Sequence, residues 1–185
     1  GDVYKRQVVN LITSSRSQAS MIGDTFCNSP SLQAISFTGS TVVGKELLKK
    51  SSSTVKRVSL ELGGNAPFIV FNSADITKAV QGCLVAKFRN SGQTCISANR
   101  IFVQSKIYDQ FIVELAQKMS QELKVVDPLD PSTTIGPLVN SRSIEKVKFH
   151  VKDAIEKGAK IILGGNQIKD NFFEPTLITN VTKDM

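Results

Sequence analysis

Short apolar runs of strand length alternate along this chain with longer segments of helical periodicity, and this alternation restricts its fold more than any other feature. It is typical of α/β proteins in which most strands run parallel, because a helix connects each strand to the next. We therefore predict an α/β fold. The predicted strands are Val8–Ile12, Ala34–Phe37, Val55–Leu60, Pro67–Phe71, Ile101–Val103, Lys160–Leu163 and an extended Phe172–Ile178, and the predicted helices include Gln18–Cys27, Ile76–Phe88, Ile107–Leu123 and Ser141–Lys157.

The glycine pair Gly63-Gly64 separates two groups of strands and helices, so we predict a domain junction there. Residues 8–62 would form one domain and residues 63–185 the other. Residues 1–7 are polar and show no pattern that can be interpreted, and we leave them out of the fold prediction.

The chain carries 23 Lys and Arg against 16 Asp and Glu, a net charge of +7 that raises the possibility of a nucleic-acid or acidic small-molecule partner. The basic residues are scattered through the predicted helices, with acids between them and few aromatic neighbours. A solvated surface explains this pattern better than a nucleic-acid face. No apolar run reaches the roughly 18 residues that a membrane span needs, so we expect neither nucleic acid nor a membrane as partner.

The three cysteines, Cys27, Cys83 and Cys95, are far apart and form no C-x-x-C pair. They indicate neither a disulfide scaffold nor a zinc site, and a reducing compartment suits them best. His150 is the single histidine, and a lone histidine cannot build a metal site without partners, so we predict no metal site.

The segment Phe37–Gly44 predicts a strand end, a tight turn and the start of a helix. Backbone amides at a helix start carry partial positive charge and suit a phosphate, and Gly39 allows the backbone to approach it closely. The alternative is an ordinary turn in which Ser40 caps the helix.

The segment Leu60–Pro67 places a carboxylate, Glu61, between two leucines at a strand end and before the glycine pair. A carboxylate in such a place is a candidate general base. The alternative is a glutamate on the wet face of the strand, with no role in chemistry.

Cys95 ends the run Phe88–Cys95, whose polar and glycine-containing residues predict an accessible loop. A reactive cysteine needs its thiolate, which an exposed and electropositive setting favours, and Arg89 would add positive charge there. Cys83 lies instead on the small-residue face of a predicted helix, which indicates a core position. The alternative for Cys95 is an inert loop cysteine.

Taken together and in this order, these segments resemble those of the aldehyde dehydrogenase family. Leu60–Pro67 is similar to the family's glutamate signature and Phe88–Cys95 to its cysteine signature, with Glu61 and Cys95 34 positions apart. Phe37–Gly44 resembles the cofactor-binding turn, and Ile135–Leu138 and Phe173–Thr176 resemble further family stretches. The resemblance covers nearly everything from Val8 onward.

The resemblance implies the second half of a Rossmann-like cofactor domain, followed by most of an α/β catalytic domain with parallel strands. It implies that Cys95 is the nucleophile, that Glu61 is the general base, and that NAD or NADP is the cofactor. The residues implied to bind the cofactor are Thr38, Gly39, Ser40, Thr41, Val42, Val43, Gly44 and the backbone of Leu62.

Within the family, the amino-acid sequences of Lys87–Asn90 and Gly64–Phe71 are most similar to those of succinate-semialdehyde dehydrogenases. In that branch the arginine six residues before the nucleophile binds the substrate's carboxylate, and Arg89 holds that position. A guanidinium can grip a carboxylate with two bonds, which favours a carboxylate-bearing aldehyde. The alternatives are a structural salt bridge of Arg89 or another substrate branch. Some members have a second cysteine where this chain has Ser97, so we expect no redox switch of that kind.

Family members are much longer than 185 residues, so the resemblance also implies a fragment that lacks both ends. We expect the isolated chain to bind cofactor poorly and to turn over little aldehyde, whereas the parent would be a homo-oligomer. The resemblance implies the mitochondrial matrix for a eukaryotic source and the cytoplasm for a bacterial one. A non-catalytic truncated product and a basic phosphate- or nucleic-acid-binding module stay open as alternatives.

Overall fold

A computed structural model of the chain describes residues 8–185, which form two compact units that divide between Gly63 and Gly64. The first unit holds one parallel pair of strands, in which Ala34 lies opposite Arg57 and Gly39 opposite Leu62. Its elements are α1 (Ala19–Asn28), β1 (Ala34–Gly39), α2 (Thr41–Ser51) and β2 (Arg57–Leu62).

Cys27 is the most deeply buried side chain of the first unit, with no exposed surface. The Ser51 hydroxyl donates a hydrogen bond to its sulfur over 3.4 Å, and the Thr54 hydroxyl donates to its carbonyl oxygen over 3.1 Å. These bonds tie the end of α1 to the end of α2. Cys27 is therefore a core residue that joins the two helices.

The strand predicted at Val8–Ile12 is wrong, because these residues form no strand and their side chains are exposed. An apolar run becomes a strand only when a neighbouring strand offers hydrogen-bonding partners. In the part of the chain that the structure describes, no strand pairs with this run. The other predicted strands and helices of the first unit match the structure to within a few residues.

The second unit contains one parallel pair, β3 with β4, and two antiparallel pairs, β5 with β8 and β6 with β7. Helices connect the parallel strands, so the predicted α/β class is confirmed. Residues 172–178, predicted as one extended segment, instead form two short strands. The elements are β3 (Ala66–Val70), α3 (Ile76–Phe88), β4 (Ala98–Val103), α4 (Ser105–Glu122), α5 (Ser141–Glu156), β5 (Lys160–Leu163), β6 (Gln167–Lys169), β7 (Phe172–Phe173) and β8 (Leu177–Thr179).

The main core of the second unit lies between α3, α4 and the β3–β4 pair. The Asp75 side chain caps α3 by accepting a hydrogen bond from the Lys78 amide, which satisfies one of the free amides at the helix start. The face of α3 that bears Cys83 then packs against the buried Phe111 and Leu115 of α4. These contacts fix where α3 ends, and the loop that carries Cys95 begins at that end.

A second, smaller core forms where α5 packs against Phe173. The Asn140 side chain caps α5 by accepting a hydrogen bond from the Ser143 amide over 3.1 Å. His150 is exposed on this helix, beside Phe149. Among residues 8–185, no helix combines the length and the apolar character that crossing a membrane requires.

Burial raises the pKa of the Cys83 thiol from 9.0 to about 11, and the nearby Lys87 ammonium opposes this only in part. Above pH 9 the unfolded chain therefore releases a proton that the folded chain keeps, so the free energy of unfolding falls as the pH rises. The loss attributable to Cys83 is on the order of 2 kcal/mol by pH 11. Burial also lowers the pKa of Lys87, which changes stability with pH in the opposite direction, so the effect of Cys83 must be isolated by substitution.

We expect Cys83→Ala to remove this loss, so that the variant's stability falls less than the wild type's between pH 8 and pH 10.5. Urea unfolding followed by circular dichroism at the two pH values measures the difference. The matched control is Cys27→Ala, which lies in the other unit and should keep the wild-type pH dependence of the second unit. An unchanged pH dependence in Cys83→Ala would contradict the assignment.

Candidate active site

The predicted cofactor turn lies in the first unit, where β1 ends at Gly39 and α2 begins at Thr41. Ser40 caps the helix, because its hydroxyl accepts a hydrogen bond from the Val43 amide over 3.3 Å. The capping alternative is thus the observed local geometry. It does not exclude a ligand, since the first amides of an α-helix have no intrahelical partner and the cap uses only one of them. Thr38, Ser40, Thr41, Val42 and Val43 are all exposed, which leaves the turn open to a ligand.

Gly44 is buried at the point where α2 packs against β2. A Cβ atom at this position would lie 2.7 Å from the Leu62 Cδ2 atom, so the leucine side chain would have to move. The last glycine of dinucleotide-binding turns often serves such close helix–strand packing. The structure therefore gives Gly44 a packing role against the Leu62 side chain of β2.

The register of the parallel pair places Thr38 opposite Glu61 and Gly39 opposite Leu62. Both pairs lie at the carboxyl ends of β1 and β2, where open parallel sheets usually bind ligands. Glu61 is exposed in this unit. The cofactor turn and the glutamate signature, which are far apart in sequence, thus meet at one sheet edge.

Cys95 lies in the second unit, on the loop Arg89–Ile96 between α3 and β4, which we call the nucleophile loop. Its side chain is exposed, whereas Cys27 and Cys83 are buried. The backbone of the loop is left-handed at three successive residues, with φ of 52° at Asn90, 56° at Ser91 and 74° at Gly92. The loop therefore has a specific folded shape, and it presents Cys95 to solvent.

Gly64 links the two signatures within the second unit. A Cβ atom on Gly64 would lie 2.8 Å from the Cys95 carbonyl oxygen, closer than real Cβ contacts allow. Only glycine lets the chain after the glutamate signature pass so near the nucleophile loop. The Asn99 side chain reinforces the contact by donating a hydrogen bond to the Gly64 carbonyl over 3.4 Å.

Lys87, in the last turn of α3, forms hydrogen bonds to the residues that follow the nucleophile loop. Its ammonium donates hydrogen bonds to Asn99 Oδ1 over 2.7 Å and to Ser97 Oγ over 3.2 Å, and Ser97 Oγ donates back to the Lys87 carbonyl over 3.2 Å. Partial burial lowers the pKa of Lys87. Lys87 had no predicted role, because its partners Ser97 and Asn99 lie 10 and 12 residues away in the sequence.

Arg89 is exposed at the start of the nucleophile loop. The alternative of a structural salt bridge finds no support in residues 8–185, where every ion pair joins a lysine to an acidic side chain. Within the same residues, no group of three or more His, Cys, Asp or Glu side chains is arranged to hold a metal ion.

Comparison with known proteins identifies the family of the chain. The model of the aldehyde dehydrogenase family matches residues 5–185, so the chain belongs to that family. It is 50% identical over 180 residues to the mitochondrial succinate-semialdehyde dehydrogenase of Rattus norvegicus, covering 96% of this chain and 34% of the relative. It is 49% identical to a probable succinate-semialdehyde dehydrogenase [NADP(+)] of Sinorhizobium fredii, covering 96% of this chain and 36% of that one.

Among solved structures, the succinate-semialdehyde dehydrogenase from Burkholderia pseudomallei is 44% identical and superposes with a TM-score of 0.89. The match covers 94% of this chain and 36% of that one. The chain thus spans about a third of the length of the relatives it matches. These matches confirm the predicted family and the aldehyde dehydrogenase fold.

The exposure of the three cysteines predicts one fast-reacting thiol in the folded chain. Iodoacetamide at pH 8 should label Cys95 first, since Cys27 and Cys83 are buried. With a pKa of about 11, only about one thousandth of Cys83 is thiolate at that pH. Peptide mass spectrometry identifies the labelled positions. Cys95→Ser should remove the fast label and guanidinium should expose all three thiols; native labelling of Cys83 as fast as that of Cys95 would refute the assignment.

Proposed function

We propose that this chain carries the nucleophile and the general base of an NAD(P)-dependent aldehyde dehydrogenase, and that the enzyme oxidises succinate semialdehyde to succinate. The observation that carries the proposal is the exposed Cys95 on its left-handed loop, with Gly64 of the glutamate signature packed against its carbonyl. The close approach of Gly64 to the loop of Cys95, within the second unit, supports the two signature matches better than sequence similarity alone.

In the first half of the reaction, the Cys95 thiolate attacks the carbonyl carbon of the aldehyde. A carbon–sulfur bond forms and the carbonyl electron pair moves to oxygen, where the Cys95 backbone amide would stabilise the resulting oxyanion. The carbon then loses its hydrogen with the bonding pair, as hydride, and a thioester remains on Cys95. NAD(P)+, when bound, supplies the acceptor for this hydride.

In the second half, Glu61 acts as the general base. Its carboxylate takes a proton from a water molecule whose oxygen attacks the thioester carbon, the carbon–sulfur bond breaks, and the thiolate of Cys95 is regenerated. The carboxylic acid leaves. Exposure of Glu61 at the end of β2 suits this role, because the base must reach a water molecule.

The first unit fits a dinucleotide cofactor. The exposed turn precedes a helix of 11 residues, whose free first-turn amides suit a phosphate. The residues that would hold the cofactor are Thr38, Gly39, Ser40, Thr41, Val42, Val43 and the backbone of Leu62, with Gly44 packed against the Leu62 side chain. Both NAD and NADP stay open, and one relative's name specifies NADP.

Arg89 would select the substrate. Its exposed guanidinium, six residues before Cys95, offers two parallel donors to the carboxylate at the far end of succinate semialdehyde. The names of the relatives support an acid-tailed aldehyde. A dehydrogenase of another substrate branch is the competing proposal. We also propose that the enzyme is a homo-oligomer and works in a reducing compartment such as the mitochondrial matrix or a bacterial cytoplasm, where an exposed thiol persists.

The catalytic roles can be tested in a chimaera in which residues 8–185 replace the matching segment of the Burkholderia pseudomallei enzyme. We expect the chimaera to form NADH or NADPH with succinate semialdehyde, Cys95→Ala to abolish turnover, and Glu61→Gln to slow it roughly 100-fold or more. Cys83→Ala, a cysteine outside the site, is the matched control and should stay active. Residues 1–185 alone should form little or no product. Turnover that survives Cys95→Ala would refute the proposal.

The substrate assignment is tested by the ratio of kcat/KM for succinate semialdehyde to kcat/KM for butanal, in the same chimaera. Arg89→Met should lower this ratio roughly 10- to 100-fold, because a charge-assisted pair of hydrogen bonds to the carboxylate is lost. Arg142→Met, at an exposed position in the first turn of α5, is the control and should leave the ratio unchanged. A ratio unaffected by Arg89→Met would favour another substrate branch.

A further inference from the structure

The nucleophile loop contains an unfavourable backbone conformation that something must hold in place. Asn90 and Ser91 both have positive φ, a conformation that is unfavourable for residues other than glycine. The hydrogen bonds within the loop join residues that are close in sequence, such as the bond from the Gln93 amide to the Asn90 carbonyl over 3.1 Å. Such bonds do not tie the loop to the rest of the unit.

Two side chains of the loop bond to the backbone of a distant segment, Ile135–Val139, which we call the support segment. Ser91 Oγ accepts a hydrogen bond from the Gly136 amide over 2.9 Å and donates one to the Gly136 carbonyl over 3.2 Å. Gln93 Oε1 accepts from the Val139 amide over 2.9 Å, and Gln93 Nε2 donates to the Pro137 carbonyl over 3.2 Å. Both side chains thus use a donor and an acceptor at once.

The support segment is itself fixed at both ends. The Ile135 amide donates to the Lys124 carbonyl over 3.1 Å, just after the end of α4, and the Ile135 side chain is buried. The Leu138 amide donates to the Asn171 carbonyl over 2.8 Å, and Asn140, which follows the segment, caps α5. The segment therefore connects the nucleophile loop to the rigid framework of the second unit.

We propose that Ser91 and Gln93 are positioning residues, which hold the left-handed turn against the support segment and thereby fix Cys95 on its loop. The proposal rests on the proposed function in so far as Cys95 is the nucleophile. Neither side chain needs to touch the substrate for this role. The support segment contributes only backbone groups, so its importance is not visible in the chemical character of its side chains.

Hydrogen exchange of single amides, followed by NMR on residues 1–185, tests the proposal without cofactor or substrate. Ser91→Ala should speed exchange of the Gly136 amide about tenfold, and Gln93→Ala that of the Val139 amide, in line with the ordinary net strength of one hydrogen bond. In both variants the Gln93-to-Ser97 amides around Cys95 should also exchange faster. Amides of α4, such as those of Phe111 and Leu115, should keep their wild-type rates.

Gln93→Glu separates the two bonds of that side chain. It keeps an acceptor for the Val139 amide but places a carboxylate oxygen against the Pro137 carbonyl, so the Val139 amide should stay slower than in Gln93→Ala. The matched controls are Gln110→Ala and Ser120→Ala, whose side chains bond only within α4 and should leave the loop unchanged.

Two outcomes would overturn the proposal: wild-type exchange around Cys95 in both alanine variants, or an equal increase throughout α4 that indicates general destabilisation. In the chimaera, the positioning role also predicts that Ser91→Ala and Gln93→Ala lower kcat more than they change KM. An inactive wild-type chimaera would count against the proposed function alone, because the exchange measurements do not depend on turnover.

Discussion

The packing of α3 on α4 is the interaction on which the second unit depends. The buried side chains of α3, Cys83 among them, pack in one cluster with the fully buried Phe111 of α4. Because α3 is held along its length, its last turn has a fixed place, and Lys87 in that turn can reach Ser97 and Asn99 at the start of β4. The two ends of the nucleophile loop are thus brought together by the core, before any residue of the loop contributes.

A loop closed in this way still has many possible shapes, and the choice among them is made by polar groups. The observed shape requires unfavourable left-handed backbone at Asn90 and Ser91. The hydrogen bonds from Ser91 and Gln93 to the support segment stabilise it. Each such bond is worth about 1 kcal/mol net, similar to the conformational cost at one residue. The loop is therefore a local balance between strain and hydrogen bonding, set on a framework whose stability comes from apolar burial.

Sequence patterns predicted those helices and turns that depend on residues close together in the chain. The helix Ile76–Phe88 follows from the periodicity of its apolar side chains, and the structure has it. Val8–Ile12 was mispredicted because a strand is defined by partners that the run itself does not specify. The same reason explains why Lys87 and Ser91 had no predicted role, since their partners lie 10 or more residues away. The family resemblance predicts roles for Cys95 and Glu61, and it assigned none to Lys87 or Ser91.

The three cysteines show how one side chain takes different roles in different surroundings. Cys83 faces apolar neighbours in the core, which oppose a buried charge and raise its pKa to about 11, so it stays a neutral packing group. Cys27 is enclosed by α1 and α2 and accepts a hydrogen bond from Ser51. Cys95 alone is exposed, on a loop where no core packing holds it. Under the proposed function the Cys95 thiol must meet a substrate and cannot be fixed by burial, so its position must come from hydrogen bonds made by the residues before it.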